Sequence, residues 1–328
     1  MGNERHTLER LIYVPIERLE ERYSAQWDDW FRQAFDEQNI SYIPVGDSTE
    51  RKINHGEFLD VVETNIYKTK QLQQILDIIS SDPAQYTTVF FMDLWFPGIE
   101  QLFYIRDGMK LPIKIKGMLH AGSYDPYDFL SRAGMTEWAR HFEAMICQEV
   151  DEVFLATQFH KDLIWKANLN LSSKKITYVE WPVETNFKLL PKENIVVFPH
   201  RLAPEKQPWE FEQLEAMFNQ KYGIRAFWIK TKDVCNSKDE YYELLARSKV
   251  AVSTATQETF GIAMVEAVNN GCIPVAPNRL SYPEVLNQFK QYNSLEEAVD
   301  MIYDALTNYK RPNKIEGKTI PWVSKIIR

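Results

Sequence analysis

Short runs of β-branched and aromatic residues alternate along this chain with stretches whose apolar positions recur at helical spacing. LIYVPI (11–16) predicts a first strand, WDDWFRQAFDEQN (27–39) a helix, SYIPV (41–45) a second strand, and 64–80 a second helix. The strongest strand signal is TTVFFMDLWF (87–96), closed by Pro97 and Gly98. Strands over 113–121, 152–156 and 175–179, with helices over 134–149 and 158–168, complete the first half. PVETNFKLLPKEN (182–194) is richer in proline and polar residues than its surroundings and reads as an interdomain linker. Alternation then restarts, with strands over 194–200, 224–230, 249–255 and 272–276 and helices over 205–221 and 238–247. A last helix over 294–309 opens on Ser294 with Glu297 three residues on, a capping box. Repeated strand–helix alternation implies an α/β protein with doubly wound parallel sheets. The expected division is 1–185, 186–310 and a tail, 311–328, packing back on the first domain.

Length agrees with two domains, because 328 residues exceed the size at which single cores stop growing. An apolar fraction of 45% and a charged fraction of 26% are those of an ordinary globular protein. No apolar run approaches a membrane span, and the start MGNERHTLER is too charged for a secretory signal. His6 stands where a myristoylation signal requires Ser or Thr, so the expected location is the cytoplasm. Cys147, Cys235 and Cys272 are widely spaced and form no CxxC, which reads as reduced structural thiols. The six histidines form no HExxH, and no metal site or cofactor is expected. The net charge of −8 is uneven: residues 1–190 carry 20 Lys/Arg against 29 Asp/Glu, and residues 191–328 carry 18 against 17. An anionic ligand is therefore better placed against the second half, and the acidic first half argues against non-specific binding to a phosphate backbone.

The segment ETFGIAMVEAVNNGCIPVAPNRLSYPE (258–284) carries most of the chemical information. Glu258 and Glu266 stand eight apart around a Thr-Phe-Gly turn, between one buried strand and the next. Ligands of parallel α/β sheets bind beyond the carboxyl ends of the strands, which puts Glu258 on such a loop and Glu266 about two turns into the helix. PHRLAPEK places Arg201 and Lys206 just after the strand that opens the second domain, on the same edge. Taken alone, the cations read as a solvated turn and the glutamates as complements to a helix dipole. Together they read otherwise. Glu266 sits among IAMVEAV, where a charge needs a partner, Gly261 frees amides at a helix start for an anion, and the cations suit a diphosphate that no Asp-x-Asp motif is present to hold through a metal.

The R-x4-K and E-x7-E pairs, in this order, resemble the GT-B retaining glycosyltransferases of the broad family 4 type. Within that family the chain is similar to the tRNA-queuosine mannosyltransferase group in PHR-x4-K, in the FG-A-M-EAV-GC-P helix and in the closing YPE. The likeness is firm over 194–285 and diffuse before it. It implies two Rossmann-like domains facing a cleft, an acceptor-side first domain, and a second domain that binds a UDP- or GDP-linked nucleotide sugar without a metal. Carried over by residue, it implies that Arg201 and Lys206 hold the donor diphosphate and Glu258 the donor sugar. Thr259 and the amides near Phe260, Gly261 and Ile262 would meet a phosphate, Glu266 would bind the ribose, and Ser281 to Glu284 would border the pocket. The loop PIERLEERYSAQW (15–27) lacks the glycines that many family members carry there, and His200 replaces a frequent glycine. In the first domain His120 resembles the family's active-site histidine, with an equal case for a structural role. Ser123, Asp125 and Asp128 follow it as acceptor-side candidates, and Asp93 is either a buried hydrogen-bonding residue or an acceptor contact.

The expected reaction is transfer of a sugar to an acceptor hydroxyl, on a modified nucleobase of tRNA or of hypermodified, phage-type DNA, with the host cytoplasm as the location in the phage case. A glycan, lipid or small-molecule acceptor, a nucleotide-sugar 2-epimerase on the same scaffold, and a non-catalytic nucleotide-sugar binding module are the alternatives. The oligomeric state is not legible.

Overall fold

A computed structural model describes residues 9–19, 22–51, 60–184, 190–315 and 320–327. They form two units, one drawn from Met1–Leu155, Leu163–Glu180 and Thr319–Arg328, the other from Ala156–Asp162 and Trp181–Lys318. Residues 185–189 of the expected linker and 20–21 of the loop after the first strand lie outside the described residues.

The first unit is built on β1 (Arg10–Val14), β2 (Ile43–Pro44), β3 (Thr87–Phe91), β4 (Ile113–Met118), β5 (Glu152–Leu155) and β6 (Ile176–Tyr178), all parallel, in the order β2-β1-β3-β4-β5-β6. Every residue of β1 and β3 is buried, as expected of central parallel strands covered on both faces. Even Arg10 fits there. Its Nε donates to Thr87 Oγ1 at 3.0 Å, and its other nitrogens donate to the carbonyls of Ile78 and Asp82 at the end of the helix Val61–Ser81. That helix starts at Asp60, whose carboxylate accepts from the amides of Val62 and Glu63.

The long apolar run 87–96 is strand only as far as Phe91. Asp93 accepts the Trp95 amide at 3.0 Å and turns the chain, while Leu94 and Phe96 remain buried in the same core as Phe91. Core packing in a turn, rather than strand pairing, prolongs the apolar signal. A helix absent from the sequence reading, Glu100–Met109, then joins β3 to β4.

The tail residues Ile320, Trp322, Val323 and Ile326 are buried. The Trp322 ring stacks on Phe154 at 5.3 Å and meets Phe31 edge-on at 5.5 Å, and its indole N–H donates to the Glu180 carbonyl at 3.0 Å.

The second unit holds β7 (Glu193–Phe198), β8 (Phe227–Lys230), β9 (Ser248–Val252) and β10 (Ile273–Val275), parallel and in the order β10-β9-β7-β8. The alternation along β7 divides the core. Val196 and Phe198 pack on one side with Phe211, Phe218 and Ile302, and Ile195 and Val197 on the other with Leu245, Met264 and Val268. Lys192, at the entry to β7, donates to the carbonyls of Leu245, Ser248 and Asn270, and burial pushes its ammonium down to about 8. The last helix, Leu295–Thr307, is capped by Ser294 Oγ accepting from the Glu297 amide; Glu297 reaches back to the Asn293 amide instead of that of Ser294.

Strand order reverses between β1 and β3 in one sheet and between β7 and β9 in the other. In open α/β sheets these switch points are where loops diverge and ligands enter. Among the described residues no helix is long and apolar enough to cross a membrane. Trp322→Ala is expected to destabilise the first unit by about 3–5 kcal/mol, as lost burial and a cavity combine. Urea unfolding monitored by far-UV circular dichroism checks this, and a loss below 1 kcal/mol would show that the tail is not an integral part of that core.

Candidate functional site

The β7/β9 switch point brings the two motifs of the second half together. After β7 the chain passes His200 and Arg201 and tightens into the 3-10 turn Pro204–Lys206, with Gln207 in the left-handed region at φ 51°. The helix expected from 205 therefore starts at Pro208. After β9 the chain runs through Ser253 to Gly261. The two loops are laced together. Thr256 donates from its amide and its hydroxyl to the Glu205 carbonyl at 2.8 and 3.1 Å, and Thr254 Oγ1 donates to the carbonyls of Lys206 and Gln207. Arg279 adds bonds to the carbonyls of Thr254 and Ala255.

At the centre of this clasp the Lys206 ammonium donates to the Gln257 carbonyl and to Glu258 Oε2, the latter at 3.1 Å. Burial pushes the Glu258 carboxyl up, but Lys206 foremost pulls it back, and it ends below its ordinary 4.5. Arg201 forms a fork on Glu205, whose side chain is almost wholly buried. Neither Glu205 nor this use of Arg201 is evident in the sequence, where Glu205 reads as one of several charges in a turn. His200 is buried, and its Nε2 has no hydrogen-bond partner. Burial first, then the nearby Lys206 and Arg201, lower its imidazole to about 3 against the opposing pull of Glu258.

Gly261 precedes the helix Ile262–Asn269 with φ +97°, a conformation that favours glycine. A Cβ there would also stand 3.1 Å from the Tyr282 ring. The first amides of this helix have no partner within it, and Ile262 and Ala263 are partly exposed, so this end suits an anion. The Phe260 amide is 3.5 Å from Glu258 Oε1, and the Phe260 ring lies against Trp181 at 5.6 Å. The Thr259 carbonyl accepts from Thr157 Oγ1.

Glu266 has the partners its burial demands. The hydroxyls of Tyr241 and Tyr242 donate to its two oxygens at 2.9 and 2.8 Å, and Lys238 Nζ stands 3.8 Å away above both rings. Each carboxylate oxygen keeps a second acceptor position for another hydroxyl. Sequence reading missed this aromatic pair because it lies on a different helix, Lys238–Arg247. In the closing motif Tyr282 is buried and bonds Ser253, while Glu284 accepts the amides of Gln158 and Phe159 and so caps the helix Gln158–Lys166. The geometry around Glu284 is that of a cap, whereas the resemblance set it beside the pocket.

In the first unit, His120 follows β4 and rests against Tyr23 and Trp27. Its Nε2 is 2.7 Å from the Met92 carbonyl, which can only accept, so Nε2 carries the proton. Burial lowers its pKa, against the opposing influence of Asp93 and Met92. Ser123 donates from its amide and its hydroxyl to Glu143, which also accepts the Trp95 indole N–H. Asp125 accepts the Tyr127 amide, and Asp128 caps the short helix Phe129–Arg132 with its carboxyl pushed up to about 6 by burial. Lys68, absent from the sequence candidates, donates to the Trp95 carbonyl at 2.7 Å; burial lowers its pKa, while Asp93 and Glu17 oppose that. Among the described residues no group of three or more His, Cys, Asp or Glu could hold a metal ion.

Residues 229–319 match the family described as Glycosyl transferases group 1, a range that includes Glu258 and Glu266 but not Arg201 and Lys206. A stretch of 67 residues is 39% identical to a Drosophila melanogaster tRNA-queuosine alpha-mannosyltransferase, covering 20% of this chain and 18% of that protein. The chain thus spans less than a fifth of the length of the curated relative it matches. Among solved structures, a lipopolysaccharide outer core galactosyltransferase aligns over 97% of both chains with a TM-score of 0.61 and 12% identity. An alpha,alpha-trehalose-phosphate synthase (UDP-forming) from Burkholderia vietnamiensis aligns over 98% of this chain and 94% of its own, with a TM-score of 0.60 and 12% identity. The fold is GT-B, two parallel-sheet α/β domains, as expected from the sequence. The comparisons support a glycosyltransferase.

The buried ionisable groups set a direction for stability against pH. An unfolded chain protonates His200 near 6.5, while the folded protein resists to about 3, so folding loses stability as pH drops through that window. Glu258, depressed in the fold, contributes stability above its ordinary 4.5 that is lost as pH falls through its lower folded value. Urea unfolding between pH 7 and about 4 is expected to show falling stability, with a shallower slope in His200→Gln. Equal slopes in the two proteins would show that His200 is not held neutral.

Proposed function

We propose that this protein is a retaining glycosyltransferase that moves a sugar from a UDP- or GDP-linked nucleotide sugar to an acceptor hydroxyl, in the cytoplasm and without a metal. The observation that carries the reading is the clasp at the β7/β9 switch point, where Lys206, Arg201 and Glu258 are assembled beside the helix start at Gly261. In this reading Arg201 and Lys206 neutralise the diphosphate, the amides around Gly261 and Ile262 receive one of its oxygens, Glu258 orients sugar hydroxyls and Glu266 takes the ribose.

The chemistry asks mainly for electrostatic preorganisation. As the bond from the anomeric carbon to phosphate breaks, positive charge develops on the sugar and negative charge on the leaving diphosphate. The acceptor oxygen bonds the anomeric carbon from the same face, and its proton passes to the departing phosphate oxygen, so no separate strong base is required. Lys206 has three N–H groups, given to the Gln257 carbonyl, to Glu258 and, at 3.5 Å, to Gln257 Oε1; a phosphate oxygen would take the N–H of this longest bond and leave the other two in the clasp. His120, Asp93, Ser123, Asp125 and Asp128 are the acceptor-side candidates, and each also makes a local hydrogen bond.

For the acceptor, the short match to the fly mannosyltransferase supports a hydroxyl on a modified nucleobase, in tRNA or in modified DNA. The acidic first half weighs toward recognition through the base and a few contacts rather than through a long phosphate track.

Glu258→Gln, which keeps shape and removes charge, and Arg201→Ala are each expected to lower turnover about 10²–10³-fold. Donor cleavage measured over a panel of nucleotide sugars, with EDTA present, tests donor, metal independence and mechanism together. Hydrolysis or transfer with retention supports the reading, release of an epimerised donor replaces it with an epimerase, and binding without turnover replaces it with a binding module. Mass spectrometry of nucleosides from tRNA and DNA, with and without the active gene, checks the acceptor: a hexosylated or pentosylated nucleoside that disappears with the gene is the expected result.

A further inference from the structure

His200 is a buried, titratable residue of the clasp that the reaction outlined above leaves without a task. It stands two residues beyond the end of β7, after Pro199, and precedes Arg201. Its ring packs edge-on against Phe198 at 5.1 Å, and only 4% of the residue is exposed. Its Nε2 is buried without a hydrogen bond. Leaving such a nitrogen unpaired is destabilising, and native proteins seldom do so without a use for the group.

The surroundings say what would satisfy it. Lys206, Glu258 and Arg201 all lie within electrostatic reach of the ring, and the two cations disfavour a third positive charge beside them. The imidazole is therefore neutral. A neutral imidazole adds directionality where charge is already supplied: it can donate one N–H to an oxygen that Arg201 and Lys206 attract, without repelling either cation. A glycine at this position leaves only backbone to approach a ligand, whereas histidine adds a ring nitrogen on a ring packed against Phe198.

We propose that His200 Nε2 donates a hydrogen bond to the distal phosphate of the donor, the one that leaves with the nucleoside diphosphate. This rests on the nucleotide-sugar reading and adds a third phosphate ligand, of a different kind from the two cations. Nε2 is buried, so its contact with a phosphate requires the neighbouring side chains to move aside. Nucleoside monophosphates lack that phosphate and do not use His200.

Isothermal titration of the full chain with UDP, GDP, UMP and GMP tests this, using wild type, His200→Ala and His200→Gln. Glutamine places an amide N–H close to where Nε2 stands. For the base the protein prefers, the Kd of the diphosphate is expected to rise about tenfold in His200→Ala, a change of about 1.4 kcal/mol. The Kd of the monophosphate should stay within about twofold, which also reports that the site remains folded, and His200→Gln should recover most of the diphosphate affinity. The proposal is overturned if His200→Ala binds the diphosphate as wild type does, or if diphosphate and monophosphate weaken together, since the residue is then irrelevant or merely structural. It is also overturned if His200→Gln binds the diphosphate no better than His200→Ala while keeping its monophosphate affinity. Failure of wild type to bind any of the four nucleotides would instead remove the nucleotide-sugar reading itself, and this inference with it.

Discussion

The second unit is organised around one buried ammonium. Lys206 holds Gln257 and Glu258, which belong to the loop after β9, from its own place in the turn after β7. A carboxylate in that setting is disfavoured by burial, and the cation makes its charged form the stable one. Breaking one partner of such a pair would strand the other charge, so the two loops persist as one object. The laces from Thr254, Thr256 and Arg279 serve the same end through backbone carbonyls, and they fix where Arg201, His200 and the helix start at Gly261 stand relative to the pair.

A clasp of this sort is a cluster of charges whose loops the fold already holds together. In the proposed reaction the cations, the ionised Glu258 and the amides at Gly261 stand on loops that are already joined. Glu266 illustrates the same economy. Two tyrosine hydroxyls satisfy its charge in the core and leave acceptor positions on both oxygens.

The first unit shows how local demands compete with ligand binding for the same residue types. Ser123, Asp125 and Asp128 look like a polar cluster at a strand end, yet each serves a turn, a cap or a buried carboxylate close by. Short polar side chains in loops bond neighbouring backbone readily, and a sequence gives the same letters for that use as for a binding site. The residues beside them that carry perturbed charge, Lys68 and Glu143, lie on helices and gave no signal of their own.

By itself the sequence determined the order of strands and helices, the parallel α/β class and the second-half motifs, because burial on two faces and helical periodicity are local properties of a run of residues. It also showed that Glu266, set in an apolar helix, must have a partner. Its errors came where burial occurs without regular structure, as in the turn at Asp93, or where a short helix gathers its apolar residues into one run, LFYI, instead of spacing them at helical intervals, as at Glu100–Met109. Only the tertiary structure decided that Arg201 shares its fork with Glu205, that Tyr241 and Tyr242 are the partners of Glu266, that Glu284 is a helix cap and that His200 keeps a nitrogen unpaired. Those facts depend on which side chains meet in space, whether four positions apart, as for Arg201 and Glu205, or 126 apart, as for Gln158 and Glu284. Hydrogen bonding of buried groups is settled by three-dimensional proximity, on which one-dimensional spacing is silent.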